Sequence, residues 1–134
     1  MDLSSLNYWA ILVAAVSTFL IGGLWYSPMM FTKPWMKENG YTEEDLKGAN
    51  MPMIFGVAFI LALIMSFNLA AFLGPEQNLV WGISAGALAG IGWVATAFGV
   101  TYLFERKSMK LFLINAGYHI VAFMVMGAIL GVWK

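Results

Sequence analysis

The chain has 134 residues, of which 61% are hydrophobic and only 10% charged, with a mean hydropathy of +0.79, whereas a soluble domain carries about 25% charged residues. Seven Lys and Arg balance seven Asp and Glu, and there is no cysteine. These numbers exclude a basic nucleic-acid surface, a disulfide framework and a thiolate metal site, and they fit a single integral membrane domain over 1–134.

The opening MDLSSLNYW carries Asp2 and no cation, unlike the positive start of a cleavable signal peptide, so the first apolar stretch is read as a retained span. A bilayer core of about 30 Å takes about 20 apolar residues in helix, because lipid offers unpaired backbone groups no partner. Four segments reach that length, at 6–26, 51–73, 79–104 and 109–133. Tyr8, Trp9, Trp25, Tyr26, Trp81, Tyr102 and Trp133 stand near their ends, where amphipathic rings favour the interface. The sequence therefore predicts an all-α, integral membrane four-helix bundle. A soluble bundle of these helices would have almost no polar face to meet water.

Between the first two spans lies the one sizeable polar stretch, 27–50. Thr32 is expected to cap a short helix with Pro34 in its first turn and Gly40 past its end. That helix would lay Phe31, Trp35 and Met36 on the interface, with Lys33 and Lys37 reaching headgroups. Thr42 followed by Asp45 resembles a capping box opening a second short helix up to Gly48. The stretch is read as an interfacial connector in preference to a lid. It carries Lys33, Lys37 and Lys47, and the third connection carries Arg106, Lys107 and Lys110, against Lys134 alone on the other side. The positive-inside rule then puts both basic loops in the cytoplasm and both termini outside. Gly74-Pro75 breaks the chain into a tight turn between spans two and three.

Every span has small residues four apart: Ala10, Ala14, Thr18 and Gly22; Ala58, Ala62, Ser66 and Ala70; Gly82, Gly86 and Gly90; Gly127 and Gly131. Such rows let backbones approach closely in lipid. Four spare faces favour a homo-oligomer, the alternative being packing inside one bundle.

The single histidine, His119, stands nine residues from Lys110, about 13 Å into the membrane at 1.5 Å per residue. Ser17, Thr18 and Thr96 reach about the same depth from their own ends. Span two offers only Ala58, Ile60 and Ala62 there, which leaves space. Asn115 is one turn from His119, and Ser66, Asn68 and Ser84 form a sparser set toward the other side. An intramembrane ionisable residue is by default a functional candidate. The readings of His119 are a proton relay, a ligand contact, an axial haem ligand, or a clamp bonded to Thr96, Ser17 or Thr18. A clamp is favoured, because hydroxyls at matching depth supply it without further parts. One His per chain would ligate only one side of a haem, so no cofactor is expected.

The segment GGLWYSPMMFTKPWMKENGYTEEDLKGAN, with the later NAGYH and GAILGVW, resembles the domain-of-unknown-function family seventeen sixty-one. The resemblance is strongest at Gly23, Trp25, Tyr26, Ser27, Pro28, Phe31, Lys33, Trp35 and Gly40, and again at Asn115, Gly117 and Tyr118. It implies a four-helix membrane fold of bacterial inner-membrane type and no particular activity.

Three functions remain open. A transporter or channel-like oligomer would line a path with Ser66, Asn68, Ser84, Thr96, Asn115 and His119. No acidic residue lies inside a span, so a weakly polar solute fits better than an ion. A non-catalytic accessory subunit would dock its small faces on a membrane-protein partner. A membrane enzyme is third, since no nucleophile and base pair, HExxH or phosphate loop occurs.

Overall fold

The computed structural model describes residues 3–133. Asp2 and Lys134, which entered the signal-peptide and charge arguments, lie outside them. After a single 3-10 turn at Leu3–Ser5 come α1 (Tyr8–Trp25), α2 (Thr32–Asn39), α3 (Glu43–Lys47) and α4 (Met51–Leu73). The third span runs Leu79–Glu105 and is composite: α5 (Leu79–Ala89), a π-helical segment (Gly90–Ala95) and α6 (Thr96–Glu105). Helix α7 (Met109–Val132) completes an all-α bundle in which four helices are long and apolar enough to cross a membrane.

Each span begins on a side chain that satisfies one of the free N–H groups of its first turn. Asn7 accepts from Ala10, Asn50 from Met53, Asn78 from Trp81, and Ser108 from Leu111, at 2.9–3.2 Å. Such a cap stabilises a helix by about 1 kcal/mol. The spans end by different devices. At Gly74, φ is +74° and lets the chain turn sharply toward α5. At Arg106, φ is +58°, a left-handed conformation that L-residues adopt at a cost of roughly 1–2 kcal/mol.

One end of the bundle carries Asn7, Trp133 and the 74–78 turn; the other carries α2, α3 and the 106–108 turn. Helix α7 is the central member, packing on α5, α1 and the π segment. Glycines set its approach to α5. A Cβ built on Gly82 would fall on the carbonyl of Gly127, one on Gly86 on that of Phe123, and one on Gly131 on that of Asn78. At Gly90 a Cβ would stand 3.0 Å from the Ile120 Cα. The glycine rows of the third and fourth spans therefore meet each other within one chain. In the first span Ala10 and Ala14 are fully buried against the same core, beside Leu69, Ala85, Phe123 and Met126.

Helix α4 is the loosest member. Its buried residues, Ala62, Ser66, Leu69, Ala70 and Leu73, all lie from its midpoint onward. Ser66 is wholly buried and donates to the carbonyl of Ile11 in α1 at 2.8 Å. The first half holds to the bundle by Phe19 of α1, whose ring stands 6.1 and 6.0 Å from Phe55 and Phe59. A space is left between this half and α7.

The connector is structured and packed. Helix α2 lies against α7. Gly40 closes α2 in the left-handed conformation. Thr32 is not its cap: it is the first helical residue after Phe31, and its hydroxyl donates back to the carbonyl of Tyr26. The chain folds back on span one here, so the hydroxyl finds that carbonyl and not a helix N–H. The Thr42–Asp45 capping box is present, with the Thr42 N–H donating to the Asp45 carboxylate at 2.8 Å and the Asp45 N–H donating to the Thr42 hydroxyl at 3.2 Å. Chiefly the Thr42 N–H, with its side chain, holds the Asp45 carboxyl below the usual carboxylate range.

Candidate functional site

Helix α7 is polar on one flank, through Asn115, Tyr118 and His119, and each of these reaches a different neighbour. Asn115 lies between two phenols: Tyr26 donates to its carbonyl oxygen at 2.7 Å, and its amide N–H donates to Tyr102 at 2.8 Å. One side chain thus ties the end of α1 to α6. Tyr118 donates to the Thr18 carbonyl at 2.8 Å, and its ring covers Gly22 at 3.4 Å from the position of a Cβ. The Trp25 indole N–H donates to the Ile114 carbonyl at 2.9 Å. Its ring packs on Phe31 at 5.0 Å and would touch a Cβ on Gly117 at 3.1 Å. Around this seam Tyr26 meets Trp35 and Tyr118 edge-on at 5.9 and 5.5 Å. Of the loop residues singled out in the sequence, Trp25, Tyr26, Phe31 and Trp35 therefore form a gasket against α7. Pro28 and Lys33 stay exposed.

His119 stands one turn further in. Its ring stacks on Phe98 of α6 at 5.2 Å and meets the edge of Tyr118 at 4.8 Å. No hydrogen bond joins it to Ser17, Thr18 or Thr96. Ser17 and Thr18 donate to the carbonyls of Ala14 and Ala15 on their own helix, at 2.6 and 2.7 Å. Thr96 is exposed and donates to the carbonyls of Gly92 and Trp93 at 2.8 and 3.0 Å. The clamp is replaced by local bonds because a short hydroxyl reaches its own helix's carbonyls more easily than a neighbouring helix.

His119 instead borders a cavity of about 230 Å³, set in the space left by the first half of α4. Thr18 and Phe19 of α1, Ala58, Ala62 and Met65 of α4, and Tyr118, His119 and Met126 of α7 are among its walls. The small side chains of Ala58 and Ala62 make the room. The polar atoms offered are few. The imidazole can donate from one nitrogen and accept at the other, and the Thr18 hydroxyl, whose proton is already committed to Ala15, can accept. The rest of the wall is apolar. The donor set suits no metal: no group of three or more His, Cys, Asp or Glu able to hold one occurs among the described residues.

The second polar set is not brought together. Ser66 faces α1, Ser84 is exposed on α5, and Asn68 borders a separate cleft of about 190 Å³ with Phe72, Ala89 and Trp93. Residues that sequence reasoning left out of the site are Phe19, Phe98 and Met126, with Tyr102 placed only by depth. Aromatic and sulfur side chains in an apolar run carry no distinguishing signal.

A family model described as protein of unknown function (DUF1761) matches residues 9–131. No curated protein and no solved structure matches the chain. The match covers nearly the whole bundle, including the Trp25–Tyr26 seam, Asn115 and His119, so this multi-pass membrane protein belongs to the DUF1761 family.

Proposed function

We propose that the protein binds a weakly polar, lipid-soluble solute at mid-membrane and passes it across the bilayer. The observation that carries this reading is the cavity of about 230 Å³ bordered by an imidazole that has no hydrogen-bond partner among the described residues. Size and chemistry narrow the solute. An apolar cavity of about 150 Å³ accepts benzene, so this one suits a single substituted ring or a short chain. One hydrogen-bonding group would pair with His119 and Thr18. In this reading the basic loops face the cytoplasm, as the positive-inside rule requires, and the solute reaches the cavity from the lipid.

The test uses phenol and p-benzoquinone as probes, with toluene as the apolar control. Wild-type protein is expected to be stabilised against heat more by the polar probes than by toluene, since a ligand that binds only the folded state raises stability by mass action. His119→Leu should abolish the difference, and Ala58→Phe should abolish binding of all three by filling the cavity. In proteoliposomes the same variants should lower phenol flux. Equal binding by wild type and Ala58→Phe would sink the reading.

A second reading, an accessory or self-associating subunit, has one observation in its favour. Asn68 and Ser84 are exposed within spans and have no hydrogen-bond partner among the described residues, and polar groups at such positions in lipid seek partners on other helices. Under this reading Asn68→Leu converts an oligomer to monomer in cross-linking; if the mass is unchanged, the reading fails.

A further inference from the structure

We infer that the cleft between α6 and the start of α7 is a binding site for an anionic glycerophospholipid of the bilayer, separate from the His119 cavity. The cleft measures about 200 Å³ and is walled by Gly99, Tyr102, Leu103, Met109 and Phe112, with Lys107 and Ser108 at its mouth. It is amphipathic along its length, apolar where it runs into the span and polar where it meets the headgroup level.

The polar side chains of the cleft are all able to donate. Tyr102 receives its bond from the Asn115 amide and keeps its own O–H proton free. Ser108 likewise accepts from the Leu111 N–H and retains its proton. Lys107 adds an ammonium, with Arg106 beside it and Lys110 one turn on, and none of the three cations has a side-chain partner among the described residues. Glu105 is next in sequence but is not part of the cleft wall. The chain is held here in the one left-handed non-glycine conformation among the described residues, Arg106. This turn sets Lys107 and Ser108 at the cleft's mouth. Room below comes from Gly99, where a Cβ would already stand 3.5 Å from the Phe112 ring.

Free surface cations alone would attract anionic headgroups without any cleft, so the decisive test separates charge from shape. Purified protein is equilibrated in mixed micelles of equal phosphatidylglycerol and phosphatidylcholine, and retained lipid is counted by native mass spectrometry. Wild type is expected to retain phosphatidylglycerol preferentially. Lys107→Gln should lower that retention about fivefold or more, while Lys33→Gln with Lys37→Gln should leave it unchanged. Gly99→Leu keeps every cation, fills the cleft and should lower retention as much as Lys107→Gln. Met109→Trp, at an exposed position on the wall, narrows the cleft without entering the helix packing and should do the same. Wild-type retention in both cleft-filling variants, or equal losses at Lys33, Lys37 and Lys107, would overturn the proposal in favour of diffuse surface charge. Displacement of the lipid by soluble glycerol 3-phosphate would also overturn it, by showing that the acyl chain contributes nothing.

Discussion

Replacing Gly127 by Ala tests the closest approach in the bundle. A Cβ there would fall on the Gly82 carbonyl and stand 3.4 Å from the Gly86 nitrogen, while Gly82 itself faces the Gly131 Cα at 3.1 Å from its own Cβ position. The obstacles are backbone on both sides, so no side chain can swing away, and the helices must part by about 1 Å. A gap of that size forfeits up to half of the dispersion energy of each contact it opens, and those contacts include buried Met126, Leu130 and Ala85. Overpacking of this kind costs typically 1–3 kcal/mol and sometimes more; with rigid backbone on both sides about 3 is expected. Helix propensity returns about 1 kcal/mol for Gly to Ala, leaving a net loss of about 2. Gly56→Ala is the control, since nothing lies within 4 Å of its Cβ position, and it should gain about 1 kcal/mol. Unfolding followed by circular dichroism in mixed micelles should thus separate the two variants by about 3 kcal/mol. If Gly127→Ala is as stable as Gly56→Ala, the close α5–α7 approach is wrong.

Three other outcomes are expected. Asn115→Leu removes the bonds to Tyr26 and Tyr102 and should lower stability by about 1–2 kcal/mol, as intramembrane hydrogen bonds do, with faster amide exchange in α2 because the gasket loses its tie. His119→Leu breaks no hydrogen bond and exposes no cavity wall to a new polar group, so its thermal midpoint should equal or exceed wild type; a fall of more than about 1 kcal/mol would reveal a bond to a neighbouring helix. The Asp45 carboxyl is held below its ordinary value by Thr42, so its support of α3 is present above the unfolded carboxylate value and disappears as pH falls through the depressed folded one. Amide exchange in α3 should therefore quicken only below about pH 4, with the bundle unaffected; Thr42→Ala should show that fast exchange at neutral pH.

The long helices were legible because lipid imposes a length of about 20 apolar residues on any spanning helix, and a run such as Met51–Leu73 has no other use for so many. The short helices of the connector were legible from their punctuation, Pro34, Gly40 and the Thr42–Asp45 pair, although Thr32 took a different partner. The candidate site was legible only in part. Counting residues from a membrane edge gives the height of a side chain but not the direction in which it points. Height alone put Thr96 beside His119. Rotation in a straight α-helix already removes it: Thr96 is six residues past Gly90, which faces α7, and six residues of α-helix are 600°, or 240° round. That much was available from the glycine row.

What lay beyond the sequence was the π segment. In a straight α-helix Ala97 and Thr101, seven and eleven residues past Gly90, would return within about 20° of the face toward α7. A π turn takes up one extra residue, so Phe98 and Tyr102 arrive in their place. They are the residues that meet His119 at 5.2 Å and Asn115 at 2.8 Å, while Ala97 and Thr101 are exposed. The Thr96 hydroxyl stays on the same segment as well, donating to the Gly92 and Trp93 carbonyls. One inserted residue thus decides which side chains of the third span reach α7. It replaces a methyl and a hydroxyl by two rings, leaving the imidazole stacked but without a hydrogen-bonding hydroxyl from this span. The cavity at His119 and the cleft under Lys107 both depend on that rotation, because Phe98 backs the histidine and Tyr102 closes the cleft.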